Sequence, residues 1–115
     1  MDAGSVKIFR ALSDRNRVRI LKMLEVRPLC VCEVTSILEL ATSTVSKHLS
    51  ILRDAGLLTD YKDGKWIYYG LSEASGDPHT REILSLVSRW FDGDKTAKSD
   101  AEKARTVDKE KVCGV

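Results

Sequence analysis

Near Gly56 the repeat of apolar residues changes from a helical period to a period of two, and no other feature of the chain constrains its fold as strongly. Before that point Val45, Leu49, Leu52 and Ala55 recur at three- and four-residue steps, and Gly56 stands where a helix C′ residue belongs. After it, residues 57–62 and 65–71 are strand-like, rich in Tyr, Trp and Ile, and Asp63-Gly64 between them signals a type I′ hairpin. Upstream, Val31, Val34, Ile37 and Leu38 describe a shorter helix, and Glu39-Leu40-Ala41 a brief turn. Thr42 or Ser43 caps the helix that follows. Two helices joined by so short a turn are a helix-turn-helix candidate, and a hairpin directly after them is a wing.

The rest of the chain supports this core. Val6, Phe9 and Leu12 predict a short first helix, and Asp14 caps a second that carries Val18, Ile20, Leu21 and Met23/Leu24. Ser75-Gly76-Asp77-Pro78 opens a last helix, with Asp77 as N-cap and Pro78 at its first position. The expected fold is mainly α with a small β-hairpin wing, a dimeric winged helix-turn-helix. With 43% hydrophobic residues in 115, the chain can build one core. Residues 1–92 are expected to form the DNA-binding and dimerisation domain. Residues 93–115 lose apolar periodicity and read as a charged, flexible tail, disordered or only partly helical. From Asp92 onward there are 6 basic and 6 acidic residues, so the tail has no net basic character to offer DNA. No apolar run reaches the roughly 18 residues of a membrane span. No signal peptide follows Met1, since Asp2, Lys7 and Arg10 interrupt any apolar segment, and the chain is expected to be cytoplasmic.

Two thiols, Cys30 and Cys32, stand at the start of the first helix of the pair; the third is Cys113. Cys30 and Cys32 are too close for an ordinary structural disulfide, and in a reducing compartment such thiols are ligands or redox groups. Thiolates suit soft, thiophilic ions. In a regular helix, positions i and i+2 point roughly 200° apart, so joint ligation by Cys30 and Cys32 needs an irregular or unwound first turn. A helix N-terminus also lowers thiol pKa.

With Val45, Leu49 and Leu52 turned inward, the opposite face of the second helix offers Ser43, Thr44, Ser46, Lys47, His48 and Ser50. Short hydroxyls near a helix N-terminus suit phosphates and base edges, and Lys47 and His48 suit base edges or phosphate. Lys62, Gly64 and Lys65 at the hairpin fit backbone or minor-groove contact. Arg15 and Arg17 read equally as phosphate contacts or as solvated or salt-bridged charges. Arg53 reads as phosphate-facing or paired with a carboxylate. Trp66 reads as core or as a stacking group. One such helix reads only a few base pairs, so a dimer on two half-sites is expected. The surplus apolar residues Phe9, Leu84, Val87 and Trp90 are its expected interface.

Leu29-Cys30-Val31-Cys32-Glu33 resembles the cysteine box of the ArsR/SmtB repressors, usually Leu-Cys-Val-Cys-acidic. Ser43 to Leu49 and Leu52 to Leu57 resemble that family's recognition helix, and Lys62 to Tyr69 its wing; the order and spacing of the three carry the resemblance over roughly residues 5–91. The resemblance implies a homodimeric repressor bound to double-stranded operator DNA and released when arsenite or antimonite binds cysteine thiolates. As(III) or Sb(III) would be the inducer, and no cofactor is needed on DNA. Arsenic-sensing relatives often carry a further cysteine where this chain has Thr35. The site is then either two thiolates completed by water, hydroxide or an exogenous thiol, or one completed by Cys113. The alternative is a cadmium-, lead- or thiol-redox-responsive repressor of the same fold. Zinc-sensing members use a site on the last helix; Asp77 and His79 match its first half, but Arg89-Trp90-Phe91 cannot supply the second. An enzyme is not expected, because neither a Cys-x5-Arg pattern nor a Gly-rich phosphate loop is present.

Overall fold

A computed structural model describes residues 3–72 and 77–113. Helices α1 (Ala3–Ala11) and α2 (Arg15–Leu24) are followed by a two-residue strand β1 (Leu29–Cys30), then α3 (Val31–Leu38) and α4 (Thr42–Asp54). Strands β2 (Leu58–Asp63) and β3 (Trp66–Leu71) form the hairpin, and α5 (Pro78–Trp90), α6 (Lys95–Thr106) and α7 (Lys109–Val112) complete the chain. The sheet order is β1-β3-β2, with both pairings antiparallel. The architecture is the winged helix-turn-helix expected from the change of period.

Local sequence accounts for most boundaries. The Asp14 carboxylate accepts from the backbone N–H of Asn16 (2.8 Å) and of Arg17 (3.2 Å), capping α2. Burial alone would raise its pKa, but these backbone donors, with His48 and Arg17 nearby, bring it below the ordinary value. Asp77 caps α5 through the N–H of His79 (2.9 Å), with Pro78 in the first turn; Ser75 and Gly76 lie outside the described residues. Gly56 ends α4 at φ +81, a left-handed conformation that L side chains rarely adopt.

Val45, Leu49 and Leu52 of α4 are fully buried with Ile20, Leu21 and Met23 of α2, Val34 and Ile37 of α3, and Leu57 and Leu58 at the start of the wing. The recognition helix is thus set by its inner face, and its outer face is left to solvent.

Four details differ from expectation. The N-cap of α4 is Ala41 rather than Thr42 or Ser43, so no side chain caps its first N–H groups. In the hairpin Asp63 pairs with Trp66, which makes Gly64 (φ +63) and Lys65 the two loop residues. A single positive φ at the first loop position is the type II′ pattern rather than I′. The cysteine box does not begin in helix: Leu29 and Cys30 pair with Tyr69 and Tyr68 as a third strand. Finally, residues 95–112, expected to be disordered or only partly helical, are largely helical. Ala97, Asp100 and Ala104 are buried along one side of α6, which packs on α2. Alanines carry little hydropathic signal, yet their small size lets α6 approach closely, and Asp100 is neutralised by Arg19 through Nε–Oδ2 (2.9 Å) and Nη2–Oδ1 (3.0 Å).

Candidate DNA-reading face and thiol site

Ser43, Thr44, Ser46 and Lys47 are exposed on the outer face of α4, while His48 and Ser50 are half-buried beside them. Because Ala41 offers no side-chain cap, the first N–H groups of α4 are open to an external anion. His48 is held from behind, its Nδ1 3.2 Å from Arg17 Nη1. A guanidinium only donates, so Nδ1 accepts, and the tautomer this assigns carries its proton on Nε2. Arg17 also donates from Nε to the Ala11 carbonyl (2.7 Å) and from Nη2 to that of Arg10 (3.2 Å). It therefore clasps the end of α1, the start of α2 and the recognition helix. Arg15 is exposed.

The wing presents Lys62, Gly64 and Lys65, all exposed. Trp66 is half-buried, with Lys65 Nζ 5.2 Å and Lys109 Nζ 5.4 Å from its ring centroid. Arg53 pairs with Asp60 (3.2 Å) and lies 3.8 Å from Asp54.

The three thiols do not occupy one environment. Cys30 is the N-cap of α3 in extended conformation (φ −87, ψ 167), 2% exposed, and its N–H donates to Glu33 Oε1 (3.0 Å). Burial pushes its thiol above the usual 9.0, and the Glu33 carboxylate adds to this; backbone N–H groups at the helix start oppose the rise without cancelling it. The lowering expected from a helix N-terminus is therefore outweighed at Cys30. Cys32, half-buried in the first turn of α3, forms a disulfide with Cys113 just past α7, the two Cα atoms 5.3 Å apart. Among the described residues, no three Cys, His, Asp or Glu side chains converge as a metal cluster.

Several residues without a mark in the local sequence frame this site. Arg27 Nη2 donates to Glu33 Oε2 (3.0 Å) and to the Val107 carbonyl (2.9 Å), and its Nε to the Ala104 carbonyl (3.0 Å). The box is thereby tied to the end of α6. Glu33 is legible as the third residue after the cap, the spacing of a capping box; Arg27 has no such local signal. Lys109 of α7 donates to the Tyr68 hydroxyl and lies over the Tyr68 ring (4.8 Å), linking the C-terminal segment to the wing.

Of the expected interface residues, Phe9 and Trp90 are 68% and 72% exposed and Leu84 is half-buried. Val87, in contrast, is 6% exposed within the core, because it faces inward from α5. Between α1 and α5 runs a groove of about 540 Å³, lined by Ile8, Phe9, Ile83, Leu86 and Arg89 among others. His79 is exposed, with its ring Nδ1 3.9 Å from Glu82 Oε1.

An outward recognition helix, a two-strand wing beside it and a shared core define a winged helix-turn-helix DNA-binding regulator. The segment from α2 to β2, residues 14–60, matches the model for bacterial regulatory proteins of the arsR family. The chain belongs to the arsR family, a class of transcriptional regulators rather than enzymes. It is 44% identical over 82 residues to the arsenical resistance operon repressor of Bacillus subtilis, covering 70% of this chain and 78% of that protein. It is 40% identical over 79 residues to a cadmium resistance transcriptional regulatory protein CadC homolog of Staphylococcus aureus, covering 68% and 62%. The solved structure of HlyU from Vibrio cholerae matches with a TM-score of 0.65 at 32% identity, covering 77% of this chain and 92% of that one. The chain spans 51% to 62% of the length of three curated relatives that it matches. Among the described residues, no helix is long and apolar enough to cross a membrane.

Proposed function

We propose that this chain is a repressor that binds double-stranded operator DNA as a homodimer and is released when arsenite or antimonite binds its cysteine thiolates. The observation that carries this reading is the placement of Cys32 on α3, one short turn before a recognition helix whose outer face is free. The names of the arsenical resistance relatives point the same way. Ser43, Thr44, Ser46, Lys47, His48 and Ser50 would face the major groove, and Lys62, Gly64 and Lys65 the flanking backbone or minor groove. The ion's ligands are drawn from Cys30, Cys32 and Cys113, since trivalent arsenic and antimony favour thiolates. Dimerisation would use the α1–α5 face around Phe9, Leu84 and Trp90, and the protein would act in the cytoplasm. Within this reading residues 1–92 carry the DNA and dimer surfaces, and residues 93–115 hold the third thiol.

Ion binding and DNA binding oppose each other with one reciprocal coupling free energy. Fluorescence anisotropy of operator DNA, titrated with arsenite under reducing conditions, tests this. Release from DNA supports the proposal; retention at saturating arsenite refutes it. A second reading, a cadmium- or redox-responsive repressor, is favoured by the cadmium resistance relatives and by the Cys32–Cys113 disulfide. The same titration with cadmium and with peroxide separates it.

A further inference from the structure

The structure divides the three thiols differently from their spacing. Cys30 and Cys32 are neighbours in sequence, but Cys30 is sealed in the core as a strand residue opposite Tyr68. Cys32 instead meets Cys113, 81 residues away. These two sulfurs border an open pocket of about 460 Å³ whose other lining residues are Thr35, Ser36, Thr42 and Val112. The Thr35 hydroxyl oxygen is buried and has no hydrogen-bond partner. A buried hydroxyl without a partner is costly unless something answers it. Thr42 is the first residue of the recognition helix.

Building on the ion-responsive reading above, we propose that the two sulfur ligands of the ion are Cys32 and Cys113 of one chain. Cys30 stands outside the ligand set, a hydroxide keeps the third position, and the Thr35 hydroxyl hydrogen-bonds to that hydroxide. The ligand class is a trivalent arsenic or antimony hydroxide. Two thiols condense with As(OH)3 to give (RS)2As–OH and two molecules of water, with no change in oxidation state. The remaining As–OH group is a hydrogen-bond partner of the kind that Thr35 lacks. The disulfide is the oxidised form of the same pair and cannot ligate. A phosphine with water converts it to two thiols and a phosphine oxide, a two-electron reduction that readies the site.

The same pair of ligands connects the ion to the DNA-reading surface. Cys113 ends α7, which packs on α3, and Lys109 of the same short helix holds Tyr68 and overlies Trp66 of the wing. A ligand bound through Cys113 therefore acts at once on α3, on the start of α4 and on the wing. Cys30 plays a structural part instead, since it starts α3 and engages Glu33, which Arg27 holds.

The test is arsenite binding to the full chain, reduced with a phosphine and freed of small thiols. Native mass spectrometry and equilibrium dialysis give the stoichiometry and affinity, and alkylation mapping identifies the protected cysteines. Wild type and Cys30→Ser are expected to bind one arsenic per chain with similar affinity; serine is a favoured N-cap, so the latter variant keeps its helix start. Cys32→Ser and Cys113→Ser each lose the chelate and weaken about 100-fold or more, the scale of a lost second attachment. Thr35→Val weakens roughly 5-fold, one net hydrogen bond. Arsenite should protect Cys32 and Cys113 from alkylation and leave Cys30 unchanged. If Cys113→Ser binds like wild type while Cys30→Ser does not, this ligand assignment is overturned and the repressor reading survives. If reduced wild type takes up no arsenite, the arsenite-responsive reading falls and the assignment with it.

Discussion

Replacing Asp100 with alanine is expected to destabilise the protein by about 3 kcal/mol. The Asp100 side chain is 2% exposed and accepts two hydrogen bonds from Arg19, at 2.9 and 3.0 Å. Breaking a buried pair by removing one partner costs about 3–5 kcal/mol. The lower end applies because Arg19 retains 23% of its side-chain exposure and a contact to Asn16 Oδ1 at 3.3 Å, so it can rehydrate in part. For a domain of this size such a loss lowers Tm by about 10 °C. Asp100→Asn keeps the shape and one acceptor and should cost about half as much. Urea unfolding followed by far-UV circular dichroism gives the magnitudes, and hydrogen exchange of amides 99–106 reports whether α6 is the element released. A double-mutant cycle with Arg19→Ala should show coupling above about 1.5 kcal/mol. If both Asp100 variants stay within about 0.5 kcal/mol of wild type, and the α6 amides of wild type exchange freely, α6 is not docked on α2 and the reasoning is refuted.

Gly56→Ala should cost about 1–2 kcal/mol in thermal unfolding, the penalty of a left-handed conformation. An added Cβ would meet only Thr80 Oγ1, at 3.9 Å, so a loss well beyond this range would mean that crowding rather than conformation governs the site. Lys47→Ala should weaken operator and non-specific DNA alike by several-fold, and flatten the salt dependence by about one counterion if Lys47 meets phosphate. A selective loss on operator alone would assign it to a base instead. The Cys30 thiol should resist alkylation until pH rises above 9.0, because burial raises its pKa. The sign follows from the folded value exceeding the unfolded one: the stabilisation is complete below the ordinary thiol value and is lost as pH climbs through the folded value. Urea midpoints for wild type and Cys30→Ala should therefore converge at alkaline pH, and a constant difference would contradict the role given to burial.

Much of this protein is readable from local pattern. The 45-49-52 stripe, Gly56 after it and the change to period two locate the recognition helix and the wing, because periodicity records which face is buried. Asp14 and Asp77 announce helix starts through chemistry that depends only on residues within one turn. The exposed residues of α4 follow by subtraction from its buried stripe. The type II′ turn is not legible in the same way, because an Asp-Gly pair specifies a tight turn without deciding which two residues the ladder leaves unpaired. Val87 sits in the core rather than at an interface, and an apolar residue on α5 carries no mark of whether its neighbour is this core or another surface.

What the sequence determines by itself is therefore the order of most elements, the inner face of each amphipathic helix and the presence of a DNA-reading surface beside thiols. The tertiary structure alone decides that α6 docks through alanines and an Arg19–Asp100 pair, that Arg27 joins the box to the end of α6, and that Cys32 meets Cys113 rather than Cys30. The reason is physical. Hydrophobic period and capping are written over three or four residues, but a buried ion pair, a small-residue contact and a disulfide across 81 residues depend on where distant segments come to lie.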